Sequence, residues 1–528
     1  MPLQPLRSFK APRLSAATQT SQLSVAPPPV GGLNFRDPIN AMPITDAMVL
    51  RNLIPNKTGC TFRKGYQYHT TALDEPIVSL FSYNSADGTT NKLFAASGGD
   101  IWDVTTETPA VSQASTGSDE DQWNTTQFAN GAGNFLLAVS PGAGYWTYDG
   151  TSWTHQSVTN LPANPTSVAV FKNRVWFTVK DSSSVWYLDT IDAITGTAQE
   201  FVMGSLLRNG GYIRGLINWT VDAGVSFDDF LVVVGSEGDL GVWQGTDPSD
   251  ATKFALKGVW YVGPVPKYGR FFTAYGGDVL IISTLGLVEM SKLVNGQFVN
   301  TQQGPSAKIE TVLGPIIKQY LNEPSFDVQI VADSEVLILK LPPQKNVYIQ
   351  YVMNINTASW CTFSDLPMVC TALLGGKLYF ATDSYRIVKG LYGEFDQVET
   401  DSEGGQPIEG EVQTAFNDFT SPGQLKQFVM VKPIFTASQA PSVKLRVNTQ
   451  YSFQPVAGSP SFVKDQSSYW DEAKWNLANW SSATNTYEFW YGVRALGYYG
   501  ALSMRLRGFG GTTNFYSYHI MNQIGGVM

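Results

Sequence analysis

Only three histidines occur in the 528-residue chain, His69, His155 and His519, far apart in sequence. No HExxH pairs two imidazoles on one helix face around a general base, which excludes a zinc hydrolase site of that kind. Cys60, Cys361 and Cys370 show no CxxC metal spacing and make no disulfide framework. They fit a reducing compartment, or one where disulfides play no part. The phosphate-cradling GxxxxGK[ST] loop and the GxSxG nucleophile elbow are both missing, and Gly508-Phe509-Gly510-Gly511 fails to complete GxGxxG. Propeller glycosidases use paired carboxylates and often carry S-x-D-x-G-x-x-W turns. Thr147 to Trp153 and Ser85 to Gly88 each depart from that spacing, so both read as Asp/Gly hairpin turns. Trp102-Asp103 is a lone WD without its GH. The residues therefore predict no catalytic, cofactor-binding or metal-binding constellation.

The elements that carry these residues repeat. Phe230 to Val234 leads through Ser236 to Asp239 into Gly241 to Trp243, the pattern of a tight β-hairpin. The same unit recurs at Leu93–Trp102, Phe135–Tyr148, Val175–Leu188, Val279–Met290, Val336–Ile349 and Leu378–Val388. Successive units lie roughly 40 to 60 residues apart, the spacing of propeller blades. Several are preceded by another short strand, at Ile77–Phe81, Thr166–Val170, Phe271–Ala274 and Met368–Leu373. Three or four strands per unit make a blade, and radial repetition buries faces that one blade alone would expose. The expected fold is all-β: a propeller of about seven blades and a β-sandwich. An elongated sandwich or a stack of hairpins is the plainer alternative.

Charged residues make up 15% of the chain, against roughly 25% in ordinary soluble domains. Assembly that buries surface would account for the shortfall. The formal charge of −9 argues against a basic nucleic-acid-binding face and is compatible with an acidic wall past which DNA slides. No run of 18 apolar residues is present, which predicts no transmembrane helix. The first thirty residues lack the apolar core of a secretory signal.

Residues 1–30 read as an extended Pro/Ser/Thr/Gln arm, and 31–74 hold a dense motif. Thr45 to Asn52 is compatible with a helical turn or a strand. Residues 75–400 hold the propeller. Within them, Ile309, Val312, Leu313, Ile316, Ile317, Tyr320 and Leu321 follow helical spacing, predicting a helix near 306–322 with Ser306 as N-cap and Pro315 as a kink. It is expected to plug or cap the propeller; docking a partner is the sharper alternative. Residues 401–528 read as a C-terminal sandwich, with strands from Gln427, Val443, Tyr487, Ala501 and Asn514 onward. Trp470, Trp475 and Trp480 recur every five residues, a spacing that cannot share a helix face. Core packing of an irregular segment is the default for them, and a subunit interface the alternative.

Three stretches together resemble one family, the nozzle or tail tubular protein B group of short-tailed phages. These are GGLNFRDPINAMPITDAMVLRNLIPNKTGCTFRKGY from Gly31, GSLLRNGGYIRGLINWTVDAGVSFDDFLVVVGSEGDLGVWQGTDP from Gly204, and the tryptophan-rich C-terminus with GVRALGYYGALSMRLRG and YHIMNQIGGVM. The resemblance implies a non-enzymatic virion protein, made in the bacterial cytoplasm, with no cofactor. Six copies would form a ring below the tail adaptor, contact fibres or spikes, and pass double-stranded DNA without reading its sequence. It implies a platform made by the terminal domains, with adaptor or assembly contacts at Gly31, Gly32, Leu33, Asn34, Phe35, Arg36, Asp37 and Pro38 and at the three tryptophans. The alternative from the propeller itself is a tail protein that binds or cleaves host glycans.

Overall fold

In the computed structural model, the described residues are 21–117, 122–222, 227–267, 270–296, 304–323, 326–345, 347–399, 404–462 and 484–525. They form an all-β fold in which six discrete sheets stand as the blades of a β-propeller arrangement. The first four blades are four-stranded meanders beginning at Ile77–Tyr83, Asn124–Asn130, Pro165–Phe171 and Ile213–Asp222. The fifth has three strands, Phe272–Tyr275, Asp278–Ser283 and Gly286–Glu289. The sixth takes Cys370–Leu374, Lys377–Ala381 and Ile387–Gly390 and borrows Tyr66–Tyr68 from the other side of the propeller sequence. That strand ties the two ends of the repeat region together.

The apolar runs explain the arrangement. Leu231–Val234 and Phe94–Ala96 are buried along their whole length, as strands covered on both faces must be. Separate clusters fill the gaps between blades. Phe81, Phe94, Trp123, Leu136 and Trp153 join the first to the second, and Phe171, Trp176, Leu216 and Phe254 join the third to the fourth. Ile77 and Leu80 meet Ala372 and Ile387, so the first blade packs on the sixth and the ring closes.

Two larger sheets, of seven and ten strands, share one core. Both are woven from the two ends of the chain. In the first, Lys426–Ala437 and Asn514–Ile524 pair with each other, and Asn514–Ile524 also pairs with Ser21–Ala26 and Cys60–Phe62. In the second, Asp46–Arg51 pairs with Gln406–Thr414, followed by Gly500–Gly508 and Ser442–Thr449. The Thr45 to Asn52 stretch is thus a strand, and residues 21–26 of the expected arm are held in a sheet.

Every hairpin unit predicted from sequence is an antiparallel strand pair, but only six belong to discrete blades. The unit at Val336–Ile349 lies in a meander, Asp327–Val331, Val336–Lys340, Ile349–Asn354 and Ser359–Ser364, built into the ten-stranded sheet. Its first strand touches those of the fifth and sixth blades, and its last meets Asp46–Arg51 at Thr362 and Arg51. The predicted helix is shorter, Glu310–Gln319, with Pro315 inside it. Ser306 is not its N-cap: Ile309 holds that position without a side-chain bond, and the Ser306 hydroxyl instead accepts the Leu287 amide at 2.9 Å. A second short helix, Met290–Val294, follows the fifth blade.

Candidate functional site

The Gly31–Pro38 motif is mostly turned inward. Gly32 and Leu33 pair in parallel with Asp46 and Ala47. Gly32 sits at φ +73°, and a Cβ there would lie 2.5 Å from the Trp360 carbonyl oxygen, so both backbone and space call for glycine. The buried Asn34 side chain organises the turn that follows. Its Oδ1 accepts the amides of Arg36 and Asp37 at 3.1 and 3.0 Å, and its Nδ2 donates to Asp37 at 2.8 Å and to Asp46 at 2.6 Å. Lys308 Nζ donates to the Gly31 carbonyl and to Asp46, both at 2.9 Å. Phe35 N donates to the Lys308 carbonyl at 2.7 Å, and Thr311 donates back to the Phe35 carbonyl at 3.1 Å. The motif therefore clasps Lys308, just before the helix, and Thr311 in its first turn. Arg36 pairs with Asp37 at 2.9 Å; that bond, with the one from Asn34, holds the Asp37 carboxyl below its usual range. Pro38 closes a turn with Ala41. What the motif leaves outward is Phe35, Arg36 and Pro38, with Ile39 just beyond it; Phe35 and Ile39 are 36% and 39% exposed. Trp470, Trp475 and Trp480 lie outside the described residues.

The residues with apparent chemistry are dispersed. The half-buried His69 faces the carbonyls of Val104 and Thr105, and burial lowers its pKa. His155 stacks edge-on to Trp146. The three thiols are free, and burial raises the pKa of each, that of Cys370 to about 12; none is a ready nucleophile. Asp149 accepts the amides of Thr151 and Ser152 at 2.8 Å each, and Asp87 accepts from Ser85 at 2.7 Å and from the Thr89 amide at 3.0 Å. Both Asp-box-like stretches are thus tied up as turns. Among the described residues no three His, Cys, Asp or Glu side chains gather as a metal would require.

The site that sequence reasoning missed is a cavity of about 400 Å³ among the first strands of the propeller units. The first blade contributes Val78 to Leu80, the sixth Val369 to Thr371, and the meander Asp327 and Lys340. Trp123, Tyr320, Phe326 and Tyr348 supply aromatic walls. Asp327 and Lys340 are buried partners across the antiparallel ladder. Asp327 accepts the Thr371 hydroxyl, and Gln329 reaches it at 3.4 Å. Arg270 donates to the carbonyls of Leu80 and Thr371 at 3.0 and 3.2 Å. Burial lowers the Lys340 pKa, against the opposing pull of Asp327. Glu323 stands exposed at the rim. The signal for this site is one lysine in the apolar run VLILKL and one aspartate opening DVQIV.

No family model matches the chain, and no curated protein does. Solved structures resemble it at 11% identity. BBS1N, solved in complex with ARL6DN, covers 62% of this chain and 98% of its own, with a TM-score of 0.39. Saccharomyces cerevisiae Sqt1 covers 67% and 96% at 0.37, and the WD40 β-propeller domain of Doa1 62% and 97% at 0.38. No functional conclusion follows from likeness at that level.

The outer face of the seven-stranded sheet is the other surface feature. Strand register sets Leu23 beside Met521 and Met430, and Val25 beside His519 and Lys432. Leu23, Val25 and Leu496 are 53%, 63% and 59% exposed. The opposite face, with Phe428, Val431, Phe435, Phe515 and Ile520, is buried.

Proposed function

We propose that the chain is a structural virion protein, the tail nozzle of a short-tailed phage. Six copies form a ring below the adaptor that makes and gates the DNA ejection channel. The observation that carries the reading is the interleaving of the two ends of the chain. Strands from 21–62 and from 406–449 and 485–524 share both large sheets, which supports a platform made by the terminal regions, as the resemblance implies. On this reading the two sheets are a sandwich platform, and the Asp327–Ser364 meander is a seventh blade fused to it. Its first strand touches the blades on either side, which supports that count. The exposed apolar sheet face gives neighbouring copies a surface to bury, and obligate interfaces take about 2,000 Å² or more. The acidic balance suits a lumen that must not hold DNA, whose backbone carries about one charge per 1.7 Å.

The outward edge of the Gly31–Pro38 motif is assigned to adaptor contact. Phage particles carrying Phe35→Asp with Ile39→Asp should incorporate clearly fewer copies of the chain while the purified variant melts like the wild type. Normal incorporation would remove that role from the motif. A second reading, a tail protein that binds or cleaves host glycans, is favoured by one observation: Glu323 and Asp327 line a cavity walled by four aromatic side chains. Binding of surface polysaccharide by the free chain, lost on Tyr348→Ala, would support it.

A further inference from the structure

We propose that neighbouring copies of the chain join by strand addition: the edge strand Ser21–Ala26 of one copy pairs with the edge strand Tyr491–Gly497 of the next. The inference rests on the reading of the chain as a ring subunit and names the joint.

Across its width the seven-stranded sheet runs from Tyr491–Gly497 through Lys426–Ala437 and Asn514–Ile524 to Ser21–Ala26, every pair antiparallel. Among the described strands, neither Tyr491–Gly497 nor Ser21–Ala26 pairs on its other side. Alternate N–H and C=O groups along both edges therefore point away from the sheet, a template for a further strand. Proteins usually guard such edges with charge, proline or a bulge. SQLSVA has no charge and no proline, and its six residues pair with Tyr518 to Gln523 without a register shift. Tyr491–Gly497 has one charge, Arg494, and a register shift against Lys426–Ala437. Its inner side chains Val493 and Ala495 pack into the shared core, so the second sheet covers its face. No like charges of the two strands would meet across the joint.

Direction decides the partner. The two edges stand level with each other: Gln427 pairs with both Leu496 and Gln523, and Gln523 pairs with Ser21. Three antiparallel steps separate them, so they run in opposite directions. A neighbour in the same orientation presents its Tyr491–Gly497 antiparallel to Ser21–Ala26, and the ladder continues from copy to copy without a parallel step. A head-to-tail contact of this kind makes a ring when the rotation closes. A twofold axis would instead pair like edges.

An independent observation lies in the side chains. Leu23, Val25 and Leu496 are 53%, 63% and 59% exposed, the most exposed apolar residues of these four strands. All sit on the two edges, and the central strands offer the outer face only the half-buried Met430 and Met521. Leu496 shares a row with Gln427, Gln523 and Ser21, and Leu23 and Val25 alternate onto that same face. Strand addition makes them cross-strand neighbours. Because side chains alternate, only shifts of two residues keep them on one face, so Leu496 meets Ser21, Leu23 or Val25.

The test is copper–phenanthroline oxidation of native particles carrying Leu496→Cys together with Ser21→Cys, Leu23→Cys or Val25→Cys, with each single variant as control. One of the double variants should give a ladder of disulfide-linked chains up to the full ring, and the single variants none. Should the double variants fail to assemble, amide exchange of the wild type decides: exchange in 21–26 and 491–497 should slow severalfold in the particle relative to the free chain. A ring that neither cross-links nor slows exchange there would overturn the joint and leave the ring reading standing. Dimers from Leu23→Cys or Val25→Cys alone would overturn it in favour of like edges paired across a twofold axis. Absence of any ring of this chain from the particle would overturn both readings.

Discussion

The side chains with the most at stake are buried charges. Arg63 is fully buried and grips Asp396 through two bonds of 2.7 Å, with further bonds to Asn52 at 2.9 Å and the Ser364 carbonyl at 3.0 Å. It joins the N-terminal motif to both the meander and the segment after the sixth blade. Arg63→Met leaves Asp396 buried without its counter-charge, and a loss of about 3–5 kcal/mol is expected in denaturant unfolding. A loss under about 1 kcal/mol, the range of an exposed pair, would show that the pair is hydrated. Lys340 makes a prediction with a sign. Burial sets its folded pKa below 10.5, so between the two values the unfolded chain holds more protons. Stability therefore rises with pH across that window and is lowest below the folded pKa. The group that opposes the shift is Asp327, with Cys370 a weaker contributor. Urea melts of wild type and Lys340→Met should differ in pH slope in that direction, and parallel slopes would refute it. Arg63 is not conspicuous in sequence, because its partner Asp396 lies 333 positions away. No local pattern joins such residues. The dense spacing of the GGLNFRDP motif is legible, but its bonds to Lys308 and the close approach of Gly32 to Trp360 depend on packing alone.

At the scale of elements, hairpins are the most legible feature, because a continuous apolar run broken by Gly, Asp and Ser is a local signal. Boundaries that depend on distant partners are not. Tyr66–Tyr68 looks like the end of the N-terminal motif, yet it is the outer strand of the sixth blade. The Asp327–Ser364 meander has the hairpin pattern of any blade, and its union with the ten-stranded sheet is fixed by Asp46–Arg51 meeting Thr362. The helix is legible by period and overextended at its start, since the Ser306 hydroxyl is taken by the Leu287 amide. Ring closure supplies the prediction at this scale. Gln67 pairs with Lys389 at the centre of the closing strand, and proline there disturbs the ladder. Gln67→Pro should bring Lys389, only partly exposed in the intact blade, forward among the first sites cut by limited trypsin. Unchanged cleavage order would mean that the closing strand is dispensable for the sixth blade.

For the whole molecule, composition carries a message that no single element does. A 528-residue chain with 15% charged residues and an open apolar sheet face is suited to burial among copies. Val25 and Leu496 lie on that face away from the shared core. Val25→Glu with Leu496→Glu should therefore leave the melting temperature within about 2 °C while abolishing assembly in native mass spectrometry. Persistent assembly would place the contact elsewhere. The all-β class and the repeating units are legible because they are periodic. The two large sheets are less so, since most of their strands come from opposite ends of the chain and only register unites them. The measurement that bears most directly on the account is the symmetry of this chain in its native particle, from averaged electron micrographs. The account predicts six copies around a common channel at the tail, with the two large sheets at the subunit contacts. Single chains or trimers on the side of the tail would contradict it and turn the assignment toward glycan recognition.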